Sequence, residues 1–372
     1  MAQPNYTVRL CDKDWTVLAN LQYQNLQYSK GLNMTPQCYF EMQIQNPIFR
    51  QIDFSYDDNT YNIEITRNNV SVFKGEMDEL APSDTRSKVN DALLTMDRVG
   101  FYASHKIDHL KRIIANPDED AVDYKRSFND VSLGTAAQTL MTEAIGRNNS
   151  LVSDVTIGTI ENPVDEAGDE IKLTSDQFLY AESIYNWIDL LAVLGNADYY
   201  IDDDNKFHFL KNKGQIRDNA IFRLHADETS GNNLTSLQIN LAKNQMANRV
   251  IVLGEGEGVF KKLADQSDAA HQAKYGLKEL VLPARVLATT ESANQYAINK
   301  LKERKSSNKL VMFTTTQKHE PFSGFDLGDT VKVDVDWYIY KFVKQLRIVG
   351  LKTFVDQQNV ETFAYETTEK KE

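Results

Sequence analysis

Along the first hundred or so residues, apolar and polar positions alternate in short runs, the pattern of half-buried strands. Thr7-Val8-Arg9-Leu10 and Trp15-Thr16-Val17-Leu18 flank the turn-like Asp12-Lys13-Asp14, and residues 39–44 alternate in the same way. The clearest pair is residues 61–65 with residues 70–73. They meet around Asn68-Asn69, residue types that tolerate the left-handed backbone of a tight hairpin.

From about residue 110 the apolar period lengthens to that of helices. Ser132 stands as a cap before Leu133, Ala136, Ala137, Leu140, Ala144 and Ile145, which share one helical face. A second helix is expected over about 181–194, with Ile184, Trp187, Ile188, Leu191 and Leu194 on one side and Gly195-Asn196 as its stop. A hairpin then runs from 198–201 to 207–209 through Asp203-Asp204-Asn205-Lys206.

The last third returns to strands at 236–239, 248–254 and 309–313. It finishes with 327–333 and two long strands over 340–349 and 360–365. Between these lies a polar insertion. Residues 259–276 are rich in Lys, Asp, Gln and Ala, and Ser292-Ala293-Asn294-Gln295 has capping-box form ahead of a helix reaching about Lys305. Residues 366–372 are expected to fray.

Composition sharpens this picture. At 372 residues the chain exceeds what one core usually serves, so two or three domains are expected. Tyr and Phe number 17 each against 8 Pro, which favours β-rich structure. The opening Met1-Ala2-Gln3-Pro4-Asn5 has neither a basic start nor an apolar core, so no secretory signal is expected, and no apolar run has the length of a membrane span. Cys11 and Cys38 are too few for a disulfide scaffold and lack metal-ligand spacing. The net charge of −12 argues against binding nucleic acid through neutralised phosphates.

Candidate chemistry is sparse. Gly254-Glu255-Gly256-Glu257-Gly258 misses the spacing of a phosphate-cradling loop and would set two carboxylates against an anion, so a flexible turn is the simpler account. Asp202-Asp203-Asp204 fails the calcium-loop pattern, because Phe207 and Lys213 stand where Gly and Glu are needed. His105 and His109 form one i, i+4 pair without a third ligand. Acidic pairs such as Glu166 with Glu170 are what an acidic chain produces by chance. No nucleophile motif occurs, so no catalytic, cofactor-binding or metal residue is assigned.

Four segments carry a family resemblance by their order and spacing. They are the hairpin over 63–76, the helix and hairpin over 185–209, Asn248-Arg249-Val250-Ile251-Val252-Leu253-Gly254, and Leu327-Gly328-Asp329-Thr330-Val331. Together these resemble the hub family of phage tails and related contractile injection machines, including the hub of T-even phage baseplates and the late-control type of tail protein. The resemblance implies an α+β, β-rich fold with two similar β-barrel, tube-forming domains flanking an α/β middle domain. The corresponding boundaries are 1–110, 111–215 and 216–368, the last with a polar and helical insertion at about 259–308, then a tail over 369–372.

It further implies a non-enzymatic homotrimer whose pseudo-hexameric ring joins a tail tube or distal tail protein above to a spike or tip protein below. The ring would leave a channel for DNA passage, partly acidic in lining, with no specific nucleic-acid binding, no cofactor and no membrane anchor. Such a protein resides in the virion after synthesis in the bacterial host cytoplasm. Many relatives carry a carboxy-terminal hydrolase or host-binding extension. This chain stops after its last strands, so lytic or adhesive activity is not expected. The competing readings are a tail-tip cell-wall hydrolase and a carbohydrate-binding β-protein.

Overall fold

The computed structural model describes residues 3–43, 45–52, 60–83, 86–89, 92–95, 98–115, 125–147, 150–179, 182–227, 231–241, 246–254, 262–284, 287, 289–304, 309–316 and 325–369. The first third gives β1 (Tyr6–Cys11), β2 (Val17–Leu21), β3 (Gln24–Gly31), β4 (Gln37–Gln43), α1 (Ile48–Gln51), β5 (Asn62–Arg67), β6 (Val70–Ser83), β7 (Arg86–Val89), β8 (Ala92–Thr95) and β9 (Arg98–His105). A 3-10 turn, Lys106–Lys111, leads to β10 (Lys125–Ser132), α2 (Leu133–Ile145), β11 (Thr156–Ile160), β12 (Lys172–Leu179), α3 (Ile184–Gly195), β13 (Asp198–Ile201) and β14 (Lys206–Leu210). Then come β15 (Ile216–His225), β16 (Ser236–Leu241), β17 (Arg249–Leu253), β18 (Lys262–Ser267), α4 (Ala269–Tyr275) and β19 (Glu279–Pro283). The chain closes with α5 (Thr290–Arg304), β20 (Lys309–Thr316), β21 (Thr330–Trp337), β22 (Tyr340–Val355) and β23 (Glu361–Glu369). The α+β, β-rich reading holds.

Local sequence explains most of these elements. The β5–β6 hairpin closes through Asn68 and Asn69 at φ of 50° and 65°, with Arg67 opposite Val70. Alternation puts Val8 and Leu10 of β1 and Phe40 and Met42 of β4 into one core, where the Phe40 ring stacks on Phe101 of β9. Ser183 caps α3 by accepting the Asn186 N–H at 3.2 Å. The left-handed residue that stops this helix is Asn196, at φ 49°.

The cap expected at Ser292 lies elsewhere. Thr289 offers its hydroxyl to the Ser292 N–H at 3.2 Å, so α5 starts earlier and Ser292 is buried in its first turn. The earlier hydroxyl wins because it stands three residues before that N–H.

Thirteen strands form one sheet, in the order β16-β20-β23-β22-β3-β4-β9-β6-β5-β1-β2, with β21 beside β22 and β15 beside β21. Two separate closed barrels are thus not what the described pairings draw: the order is open among the described residues, and both ends of the chain share the sheet. The link is β22. Its first half pairs with β21 from Tyr340 to Arg347, and its second half pairs with β3 from Gly350↔Gly31 to Val355↔Leu26. At 16 residues it is long enough to serve both partners.

Three apolar cores lie against this frame. One fills the amino-terminal half of the sheet, a second the carboxy-terminal half, and the third surrounds α2 and α3. The third core also takes in β17, at a distance in sequence. Expected to belong with the carboxy-terminal strands, β17 instead centres a small sheet, β18-β17-β19. Val250 and Val252 bury the inner face of β17, and Ala293 and Ala297 of α5 join the same core as Trp187 and Leu191. Small residues let α5 approach closely. Asn299 then fixes it by donating to the carbonyls of Val193 and Leu194, both at 2.8 Å, in the last turn of α3.

Candidate functional site

The residues singled out for chemistry land in structural roles or outside the described residues. Of the Gly254–Gly258 run only Gly254 is described. Asp202 shapes the β13–β14 hairpin tip: its Oδ1 accepts the N–H groups of Asp204 at 3.0 Å and Lys206 at 2.8 Å, and its Oδ2 meets His208 Nε2 at 2.9 Å. Asp203 pairs with Lys30 of β3 at 2.7 Å.

His105 and His109 do not converge. His105 ends β9 and accepts the Ile107 N–H at 3.3 Å, while His109 sits in the 3-10 turn, whose period separates i from i+4. Burial, with the Lys106 charge beside it, pulls the His105 pKa down to about 3. Glu166 pairs with Lys302 at 3.1 Å, and Glu170 accepts from Asn162 at 3.3 Å. Cys11 and Cys38 are buried and free, and burial pushes the Cys11 thiol up to about 11. No group of three or more His, Cys, Asp or Glu is placed to hold a metal among the described residues.

Ionised side chains concentrate where the parts of the chain meet. Arg347 of β22 and Asp198 of β13 are 3% and 1% exposed and form a two-pronged pair. The same guanidinium donates to the Lys213 carbonyl at 3.0 Å, and the Lys213 N–H donates to Asp198 at 2.8 Å. Just beyond, buried Asp329 accepts from Gln215 N at 2.7 Å, Arg217 Nε at 2.9 Å and Asp326 N at 3.1 Å.

This gives the Leu327-Gly328-Asp329 segment its physical content. Asp329 anchors the start of β15, and Gly328, at φ 89°, lies so close that a Cβ there would sit 2.2 Å from the Lys213 carbonyl oxygen.

A second junction joins the two ends of the sheet. Glu361 of β23 is fully buried and accepts from Tyr6 Oη of β1 and from Arg67 of β5, whose Nη2 lies 3.0 Å away. At a third, buried Lys106 reaches Asp154 at 2.7 Å, and its ammonium lies 4.8 Å from the Trp15 ring centroid. Between these junctions lies a cavity of about 100 Å³, bordered by Lys30, His105, Tyr200, Asp203, Lys213 and Asp326. That is well below the ~300 Å³ where small-molecule sites begin.

The surface offers more than the interior. The connection between β21 and β22 is Tyr338-Ile339, with Trp337 opposite Tyr340, and these two turn residues are 74% and 84% exposed. Tyr338 adopts φ 51°, a conformation that tight turns normally assign to Gly or Asn. The strands on either side are legible in the sequence, but the tip is not, because it carries no Gly, Asn or Pro punctuation. The available signal was four consecutive large apolar residues, Trp337-Tyr338-Ile339-Tyr340, at a point where strand alternation breaks.

No protein-family model matches the sequence. Nor does any curated protein sequence match it. Solved structures do match, over nearly the whole chain. A tail protein from Neisseria meningitidis MC58 superposes with a TM-score of 0.64 at 9% identity, covering 99% of this chain and 97% of that one. The tail protein of prophage MuSo2 from Shewanella oneidensis gives 0.61 at 13% identity, covering 98% of both chains. The prophage tail protein gp18 from Listeria monocytogenes EGD-e gives 0.54 at 12% identity, with coverage of 98% and 95%. The chain therefore has the fold of phage tail proteins, and the resemblance carried by the four segments is borne out at the level of the fold.

Proposed function

We propose that this protein is a structural hub of a phage tail baseplate or tail tip, without enzymatic activity, resident in the virion. Three copies form a pseudo-hexameric ring that connects the tail tube or distal tail protein above to a spike or tip protein below. The observation that carries this reading is the match to tail proteins over nearly the whole of this chain and of theirs. The two halves of the thirteen-stranded sheet act as the tube-forming domains, and the helical core between them as the middle domain.

A ring is also a physical answer to an open sheet. Exposed strand edges recruit other strands, and cyclic assembly covers them. The net charge of −12 suits a conduit for DNA, since an acidic or neutral wall holds a passing polyanion weakly.

Mass photometry of the purified protein, with particle images, tests the proposal. The expected result is a species of three times the chain mass, with a central opening and interfaces above ~1,000 Å². Monomers alone at micromolar concentration would refute it.

A further inference from the structure

The β21–β22 hairpin forms an arm backed by β15 as far as Asp336, and on its β22 side the arm has an edge unpaired among the described strands. β22 meets β23 only from Leu346 onward, so along residues 340–345 one side of the strand has no partner among the described strands. At one end of the strand order, β2 pairs with β1 alone among the described strands. Its sequence, Val17-Leu18-Ala19-Asn20-Leu21, has no charge and no Pro, and Val17 and Leu18 are exposed. It lacks the charge and the Pro that commonly keep a free edge from pairing.

We propose that the arm of one copy docks along β2 of a second copy of this chain, adding a strand to its sheet, with Tyr338, Ile339 and Val343 covering Val17 and Leu18. Four observations favour a second copy as the occupant. The two edges are of closely matched length, five residues in β2 and residues 340–345 in the arm. Both are unpaired among the described strands, and both expose apolar side chains. Each chain carries one of each: β2 ends the strand order, and the arm belongs to β22, farther along the same sheet. A contact between two different patches of the same molecule is head-to-tail, and a closed ring leaves no patch unused.

The turn itself points the same way. A bulky residue at φ 51° costs local backbone energy that Gly would avoid, so Tyr338 is held there at the expense of the isolated chain. The inference rests on the ring reading above and adds the surface that makes it.

Two full-length variants test it. The first, Tyr338→Gly with Ile339→Asn, gives the arm a favoured turn and removes its apolar tip. The second, Leu18→Lys, places a charge on the receiving edge. Each alone is expected to be monomeric, with self-association weakened by about a hundredfold or more, as loss of central apolar anchors does at protein interfaces. The arm variant should melt no lower than the parent, which separates lost docking from lost folding. Mixed one to one, the variants should form a dimer and nothing larger, because the mixture holds one intact arm and one intact edge per pair.

Wild-type-like rings from either variant would overturn the arm-to-edge contact while leaving the ring reading standing. The same holds if the mixture stays monomeric while the wild type forms rings. A wild-type chain that is itself monomeric would overturn both.

Discussion

Replacing Arg347 by Met should be among the most damaging single changes in this protein, although it touches no surface. The substitution keeps much of the side-chain volume and removes the charge that meets Asp198 inside the fold. With Arg347 and Asp198 3% and 1% exposed, solvent cannot take over the place of the guanidinium beside the carboxylate, which keeps the Lys213 N–H at 2.8 Å. Breaking a buried pair from one side costs about 3–5 kcal/mol. Against a total stability of roughly 5–15 kcal/mol, that is a large share. At about 2–4 °C per kcal/mol for domains of this size, the midpoint should fall by roughly 6–20 °C.

The second half of the experiment isolates the cause. Adding Asp198→Asn to Arg347→Met removes the buried charge altogether, so the double variant should recover a substantial part of the loss, and the coupling follows from the cycle. Urea unfolding followed by fluorescence, together with scanning calorimetry, measures all four proteins. A loss below about 1 kcal/mol in Arg347→Met would refute the reasoning, since exposed pairs behave that way. So would a double variant no better than the worse single one.

Three further outcomes can be checked by the same methods. An unperturbed His titrates near 6.5, and His105 in the fold near 3, so between these values the unfolded chain holds a proton that the folded chain does not. Its contribution is fully present above pH 6.5 and is lost as pH falls toward 3, by up to about 1.4 kcal/mol per pH unit; His105→Gln should flatten that part of the stability profile, and an unchanged slope would refute it. Gly328→Ala should cost about 1–3 kcal/mol or more from its backbone conformation and contact with Lys213, whereas Gly168→Ala, at φ 90° but with nothing within 4 Å, should cost distinctly less in urea unfolding. The Tm of Tyr338→Gly in an assembly-deficient background should equal or exceed that of its parent, because the strained position is relieved.

The parts of the fold legible in the sequence are those fixed by neighbours along the chain. Asn68-Asn69 announced a hairpin because the turn needs residues that accept positive φ, and α3 was legible from Ile184, Trp187, Ile188 and Leu191 recurring on one face. What distant segments decide was not legible. Nothing in Arg249–Leu253 says that its buried valines face α5 and the middle core, since alternation reports only that some core exists. The pairing of β22 with β3, more than 300 residues earlier, is likewise invisible locally, yet it makes one sheet of two expected units. The exposed tip was missed for the opposite reason. The expected strands stop at 333 and resume at 340, and large apolar residues between them suggest burial, their usual fate, from which Tyr338 and Ile339 depart.

The buried charges follow a logic that the apolar cores cannot supply. Within each core, contacts such as Phe40 on Phe101 or Trp187 beside Ile188 are non-directional and tolerate small slips. At the seams the chain uses charged groups instead: Glu361 between β23 and β1–β5, Arg347 between β22 and β13, Lys106 beside β9 reaching Asp154, and Asp329 at the start of β15. Each accepts or donates two or more hydrogen bonds whose angles fix one arrangement of the segments they join. Such pairs add little net stability over apolar packing. Their value here is orientation: a slip at any of these seams would shift the segments they join out of register.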